Sequence, residues 1–129
     1  MNGVKYLLDT NFVLSMLKAI PTALQVISQK NMLAGECAYS AITRMELLGF
    51  AGITKQEEDL IAERLAHFSY LPITSAIEDC TISLRRAQKI KLPDAIIAAT
   101  AIQEGLELLT FDLGLLSTMQ SAFRPLVNR

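Results

Sequence analysis

The chain has no tryptophan, one histidine and two cysteines in 129 residues, and each scarcity excludes a class of protein. The single histidine, His67, excludes an acid–base nuclease that uses two histidines. Cys37 and Cys80 stand far apart without a C-x-x-C motif, which argues against a disulfide framework or a zinc site. Two isolated thiols are typical of a reducing compartment, so we expect the protein to act in the cytoplasm.

Long apolar runs and an excess of positive charge are missing as well. No run approaches the ~20 residues of a bilayer-spanning helix, and Asp9 interrupts the only early apolar stretch, so neither a membrane span nor a signal peptide is predicted. Lys and Arg number 12 against 13 Asp and Glu. This balance argues against a strongly basic surface that binds nucleic acid, but it does not exclude a local basic patch.

What the chain does contain is enough apolar sequence for a core, because 51% of the residues are hydrophobic. We expect one domain over residues 1–129. Short apolar runs alternate with helical stripes, and the predicted strands are residues 5–9, 37–40, 70–73, 106–110 and 124–127. Strands that alternate with helices indicate an α/β/α sandwich around a central, mainly parallel sheet.

Capping patterns and prolines predict where the helices begin and end. Helices are expected over residues 10–18, 22–30, 93–104 and 115–119, with Pro93 in a first turn and Gly105 as a stop signal. Pro72 suggests an edge position for the third strand. Three further helices are predicted to begin at capping boxes, namely Thr43 with Glu46, Thr54 with Glu57, and Ser75 with Glu78.

Four carboxylates fall where parallel sheets collect functional groups, at the carboxyl ends of the strands. Asp9 ends the first strand, Asp112 follows the fourth, and Glu46 lies in the first turn of the helix after the second. Asp94 opens the helix that feeds the fourth strand, which puts Asp94 at the same edge if the preceding helix lies aside from the sheet. We therefore expect the four side chains to converge.

Carboxylates that lie so close together cannot all stay ionised unless a cation or protons enter. Ligation by oxygen alone favours Mg²⁺ or Mn²⁺, which keep several waters and accept substrate phosphate. One such ion, or a pair ~4 Å apart, can ionise a water and hold the leaving oxygen of a phosphodiester. The acids thus predict metal-dependent phosphodiester hydrolysis.

Each acid also has a purely structural interpretation. Asp9 could cap a helix, and Glu46 could complete the capping box with Thr43, which is the interpretation we favour for Glu46 alone. Asp94 suits a helix N-terminus on electrostatic grounds, and Asp112 could be an ordinary loop residue. The indication of function comes from the joint position of all four.

Three segments resemble one known family in sequence and in order: LLDTNFVL, SAITRMELLGF and LPDAIIAATAIQEGLELLTFD. They resemble a PIN domain, and most closely the VapC-type toxins of bacterial toxin–antitoxin pairs. The resemblance covers nearly the whole chain. It implies a PIN-like fold and a Mg²⁺- or Mn²⁺-dependent endoribonuclease that cleaves single-stranded RNA.

The resemblance also implies roles for particular residues and partners. Asp9, Glu46, Asp94 and Asp112 would be the catalytic metal ligands, supported by Asn11 and Thr110. A small antitoxin that blocks the site, often with a basic side chain, and a homodimer are implied too. After Asp112 the chain reads LGLL, where many relatives carry another acid or amide, so fewer ligands are expected for a second metal.

Cationic residues near these acids could contact RNA, although we prefer the interpretation of a solvated helix end for those just before Asp94. They are Arg44, Arg85, Arg86, Lys89 and Lys91. Two other functions stay open. A catalytically degenerate PIN domain could bind RNA or protein without cutting, and a phosphatase or receiver could use an acidic pocket, although the second Asp of such a phosphatase is absent at Asn11.

Overall fold

The structure is a computed structural model that describes residues 3–119. Its four parallel strands form one sheet in the order β3-β2-β1-β4. The strands are β1 (Tyr6–Leu8), β2 (Cys37–Ser40), β3 (Ser69–Leu71) and β4 (Glu107–Leu109). Each predicted strand within the described residues is confirmed, whereas the predicted strand 124–127 and the ends of the predicted domain 1–129 lie outside them.

Helices connect every pair of successive strands. They are α1 (Thr10–Leu17), α2 (Pro21–Gln29), α3 (Ala41–Leu48), α4 (Lys55–Leu65), α5 (Ser75–Ala87) and α6 (Leu92–Glu104). A 3₁₀ turn, Ala34–Glu36, precedes β2, and residues 113–119 are helical. In the described part of the chain no single helix is long and apolar enough to cross a membrane. The helices α1 and α2 together have the necessary length and composition, but they are bent by 103° relative to each other.

The core forms two clusters, one on each face of the sheet. Leu7 and Leu8 alternate across β1, and both are fully buried. The cluster around Leu7 packs against α5, α6 and residues 113–119, and the cluster around Leu8 packs against α1, α3 and α4. Because helices cover both faces, the predicted α/β/α sandwich is confirmed.

Local signals explain two of the helix boundaries as predicted. Thr54 and Glu57 form a complete capping box, since the Thr54 hydroxyl accepts from the Glu57 N–H at 3.0 Å and the Glu57 carboxylate accepts from the Thr54 N–H at 2.9 Å. Gly105 ends α6 with φ +66°, a left-handed conformation that glycine adopts without a steric cost.

The other two predicted capping boxes are wrong. The N-cap of α3 is Ser40, whose hydroxyl accepts from the Thr43 N–H at 3.2 Å, and the N-cap of α5 is Thr74 rather than Ser75. The helix α3 starts as soon as β2 ends, so Thr43 is its third residue and is fully buried. Glu46 therefore lies in the second turn of α3, not the first, and its carboxylate takes no part in capping.

The order of the strands reverses at β1, and this position matters for the site. The chain steps from β1 to β2 to β3, and α5 and α6 then carry it back to β4 on the far side of β1. The helix α5 packs mainly along α6, although its Ile77 and Leu84 also join the core cluster around Leu7, and α6 then feeds β4 with Asp94 at the carboxyl edge. Pro72 follows β3 at an edge of the sheet, as predicted. Ligands of open α/β sheets bind at such reversals, outside the carboxyl ends of the strands.

Candidate active site

Asp9 lies at this reversal, and its side chain is held on both oxygens. The residue is only 6% exposed. Its Oδ1 accepts from the Thr10 N–H at 2.7 Å and caps α1, while its Oδ2 accepts from the Thr110 hydroxyl at 2.6 Å. Each carboxylate oxygen keeps a further lone pair. Asp9 is thus both the helix cap that the structural interpretation proposed and a fixed carboxylate at the strand reversal.

Thr110 links Asp9 to Asp112. The Thr110 hydroxyl donates to Asp9 and accepts from the Asp112 N–H at 3.0 Å. The Oδ1 of Asp112 in turn accepts from the Leu115 N–H at 3.1 Å, so Asp112 caps the helical residues 113–119. Asp112 is therefore more than an ordinary loop residue, and one hydroxyl sets the spacing between two acids.

Glu46 reaches the same edge through Thr10. The Thr10 hydroxyl donates to Glu46 Oε1 at 2.6 Å and lies 3.0 Å from the Thr43 hydroxyl. A hydroxyl has one proton, so when Thr10 donates to an ionised Glu46, Thr43 must donate to Thr10. Sequence reasoning missed Thr10. The signal available was its place as the first residue of a helix that begins at the acidic edge.

Asp94, in the first turn of α6, completes the group. Burial raises the pKa of Asp94, and the charges of Asp112, Asp9 and Glu46 raise it further, while Lys91 lowers it. The charges of the other three acids thus all act on Asp94. Within residues 3–119 none of them lies within ion-pair distance of a lysine or arginine.

The four carboxylates lie at one edge of the sheet, but within the described residues they do not form a compact ligand set. Among the described residues no three His, Cys, Asp or Glu side chains stand close enough to form a ligand set by themselves. Mg²⁺ is commonly held by one or two carboxylates, with waters and substrate phosphates supplying the other oxygens. An open set of oxygen donors without a neutralising cation fits such an ion in chemistry, and the remaining ligands would be water and substrate.

Two other predicted site residues, Asn11 and Arg44, form no hydrogen bond or ion pair with the four acids in the described residues. Asn11 is exposed on α1, and its side chain forms no hydrogen bond within the described residues. Arg44 is exposed on α3, where its charge acts on Tyr39 and lowers the pKa that burial raises. Within residues 3–119 neither side chain forms a hydrogen bond or an ion pair with an acid.

The other four cations line the surface beside the acids. A cavity of about 300 Å³, here the acidic pocket, is lined by Asp94, Asp112 and helical residues after Asp112, and Lys89 and Lys91 line it too. A larger cavity of about 780 Å³, here the basic groove, is lined by Arg85, Arg86, Lys89 and Lys91 together with apolar side chains. The two cavities share residues 89–91.

Phe111 stands between Thr110 and Asp112 and is 42% exposed. Its ring stacks on the buried Phe12 with centroids 5.3 Å apart and planes 25° apart. Phe111 is therefore not a core residue, whereas Phe12 is. A supported, half-exposed ring is a surface on which a nucleic-acid base can stack.

Comparison with known proteins accounts for this combination of fold and acids. The PIN domain family model matches residues 6–118 of the chain. The chain belongs to the PIN domain family. The matched segment contains all four acids, Asn11 and Thr110.

Several solved structures are similar to this PIN domain in sequence and fold. A toxin–antitoxin complex from Klebsiella pneumoniae matches with 32% identity and a TM-score of 0.73 over 84% of this chain and 87% of the other. FitAcB from Neisseria gonorrhoeae matches with 28% identity and a TM-score of 0.71 over 89% and 93%. VapBC2 from Rickettsia felis, with 21% identity, a TM-score of 0.72 and coverage of 89% and 93%, supports the fold alone. No curated protein matches. The predicted likeness to VapC-type toxins is confirmed.

Proposed function

We propose that the protein is a metal-dependent endoribonuclease that cleaves single-stranded RNA, and that it is the toxin of a type II toxin–antitoxin pair. The observation that carries this proposal is the meeting of Asp9, Glu46, Asp94 and Asp112 at one edge of the sheet, with no cationic partner among the described residues. Membership of the PIN domain family and the likeness to toxin–antitoxin complexes support it.

In this proposal Asp9, Asp94 and Asp112 hold Mg²⁺ or Mn²⁺, directly or through water. When bound, the cation supplies the positive charge that a phosphodiester displacement needs at its attacking and leaving oxygens. Glu46 ligates or orients the attacking water, which its Oε2 can do because Thr10 holds only Oε1. Thr110 positions the carboxylates of Asp9 and Asp112, whereas the supporting role of Asn11 rests on the family resemblance alone, because its side chain forms no hydrogen bond within the described residues.

The test is Mn²⁺ titration of the purified chain, followed in parallel by cleavage of an unstructured RNA and by thermal unfolding. We expect cleavage that EDTA abolishes and a rise in melting temperature, because an ion that binds only the folded state stabilises it by about 2.7 kcal/mol at one hundred times its Kd. Asp94→Asn should lose both effects. A chain that is neither stabilised nor activated by Mn²⁺ would instead be the degenerate PIN domain that binds without cutting.

An antitoxin partner is the second part of the proposal. The relative from Klebsiella pneumoniae was solved as a toxin–antitoxin complex, as its name states. This chain also has an apolar cavity of about 340 Å³ between α1, α2 and α4, at which Leu24 is 45% and Leu33 65% exposed. We expect an apolar segment of the antitoxin there. Co-purification with the product of a short reading frame next to the gene tests this partner.

A homodimer that acts in the cytoplasm completes the proposal. Strand β3 lies at the edge of the described sheet, and Tyr70 on it is 46% exposed although its ring packs against that of Tyr39, so part of the ring can meet a second copy. The two thiols are unpaired in the structure, in keeping with a reducing compartment. Light scattering on the purified chain gives the mass that decides between monomer and dimer.

A further inference from the structure

The segment between α5 and α6 separates the acidic pocket from the basic groove and belongs to both. Lys89, Ile90 and Lys91 line each cavity, so a strand that leaves one passes over these residues into the other. We propose that the basic groove binds the backbone of single-stranded RNA on one side of the cut and leads it to the acids. This inference rests on the proposed ribonuclease function and adds the path of the substrate.

The cations of the groove are free to meet phosphate. Elsewhere in the described residues Lys5, Lys30, Lys55 and Arg64 each lie within 4 Å of a carboxylate. No ion pair forms at Arg85, Arg86, Lys89 or Lys91 within the same residues, although the chain as a whole is nearly neutral. Unpaired cations gathered on one wall are the electrostatic requirement for binding a polyanion.

The groove is formed in advance of binding. At its inner end the Arg85 Nε donates to the carbonyl of Ile90 at 3.4 Å, and the Gln88 side chain donates to the carbonyl of Thr118 at 3.4 Å. These two hydrogen bonds tie the α5–α6 segment to itself and to the helical residues that follow Asp112. The second bond connects the segment that lines the basic groove to a residue that also lines the acidic pocket.

Apolar side chains in the groove favour a single strand over a duplex. Ile82 and Leu92 line it and are 47% and 48% exposed. A single strand can turn its bases onto such surfaces while its phosphates meet Arg85 and Arg86, whereas paired bases in a duplex are stacked away from the protein. The mixture of apolar and cationic lining thus matches single-stranded RNA, which presents phosphates and unpaired bases together.

The test measures binding separately from cleavage. In an Asp9→Asn background with EDTA present, an RNA of about 10 unstructured nucleotides is titrated by fluorescence anisotropy at several salt concentrations. We expect Arg85→Ala/Arg86→Ala to weaken binding several-fold and to make the plot of log K against log salt shallower by about 0.7 for each phosphate that the variant no longer neutralises. Arg86→Ala alone, which removes no hydrogen bond of the described residues, should give half of that change in slope.

Lys18→Ala/Lys55→Ala is the matched control, because it removes the same charge at two residues that line neither cavity. The proposed path of the RNA would be overturned if the control weakened RNA binding equally, or if the groove variant kept the Kd and salt slope of the parent. Neither result would affect metal-dependent cleavage by the parent. Loss of antitoxin binding with unchanged RNA binding would assign the groove to protein and also overturn the path. Failure of the parent to cut RNA at all would be a failure of the proposed function.

Discussion

At the amino edge of the sheet Glu36 and Glu107 each form an ion pair with a lysine, whereas at the carboxyl edge the side chains of Asp9, Glu46 and Asp112 accept hydrogen bonds from hydroxyl and amide groups. The Lys5–Glu36 distance is 3.1 Å and the Lys30–Glu107 distance is 2.8 Å. At the opposite edge Thr110 and Thr10 donate to Asp9 and Glu46 at 2.6 Å. Carboxylates are therefore neutralised by lysines at the amino edge, whereas at the carboxyl edge neutral donors only orient them.

The pKa directions show the consequence of this difference. A hydrogen bond from the Leu33 N–H and the Lys5 side chain lower the pKa of Glu36, whereas burial and three neighbouring acids raise that of Asp94. Hydrogen bonds from neutral donors fix the direction of a carboxylate, but they do not remove its repulsion from other carboxylates. The carboxyl edge thus keeps unbalanced negative charge in a fixed geometry, which is what a site for a divalent cation needs.

The largest effect is expected from Asp9→Asn. Asparagine can still cap α1, so the fold should persist, but the site loses a charged oxygen ligand at its most buried position. We expect cleavage of single-stranded RNA to fall by at least about 10²-fold. Initial rates on a labelled RNA, with far-ultraviolet circular dichroism as the check on folding, measure this change.

The matched control for Asp9→Asn is Glu107→Gln at the amino edge. It removes one carboxylate charge from an exposed ion pair and should leave cleavage within about twofold of the parent, because such pairs contribute little. Equal activity of the parent and Asp9→Asn would refute the assignment of the acidic edge, whatever the behaviour of Glu107→Gln.

The fold was predictable because its signals are local. Alternation of apolar runs with helical stripes indicated the parallel sheet, and Gly105 and the Thr54–Glu57 pair indicated helix boundaries. The capping pairs at Thr43 and Ser75 misled because a helix can begin at any earlier polar residue, and Ser40 and Thr74 stood closer to the preceding strand. When several neighbouring residues can each cap a helix, the local sequence does not show which of them is the N-cap.

The site was predictable only in part. The positions of Asp9 and Asp112 follow from strand ends, and Asp94 follows once α5 packs along α6. The bond between Thr10 and Glu46 joins residues 36 positions apart, and no spacing rule connects them. The basic groove likewise depends on where the α5–α6 segment lies relative to residues 113–119, which only the packed structure determines.

A smaller effect is expected from removing the hydroxyl that joins two of the acids. Thr110→Val keeps the shape of the side chain but loses the bond to Asp9 and the acceptor for the Asp112 N–H. Changes in groups that orient metal ligands cost about 10- to 100-fold in affinity or activity, so we expect that loss in the apparent affinity for Mn²⁺. Thr110→Ser restores the hydroxyl and should recover most of it. Equal Mn²⁺ affinity of Thr110→Val and the parent would show that this hydroxyl does not orient the site.

The smallest effect tests the amino edge. Because the folded-state pKa of Glu36 lies below its ordinary value of 4.5, its charge adds to the free energy of unfolding above that pH, and this contribution is lost as the pH falls through the lowered pKa. Glu36→Gln should thus lower the melting temperature by about 2 °C at neutral pH and not at all well below pH 4.5. Glu104→Gln, at an exposed acid without an ion pair in the described residues, is the control. Stabilisation by Mn²⁺ should be unchanged in Glu36→Gln, and a reduced Mn²⁺ response there would mean that the two edges of the sheet are not electrostatically separate.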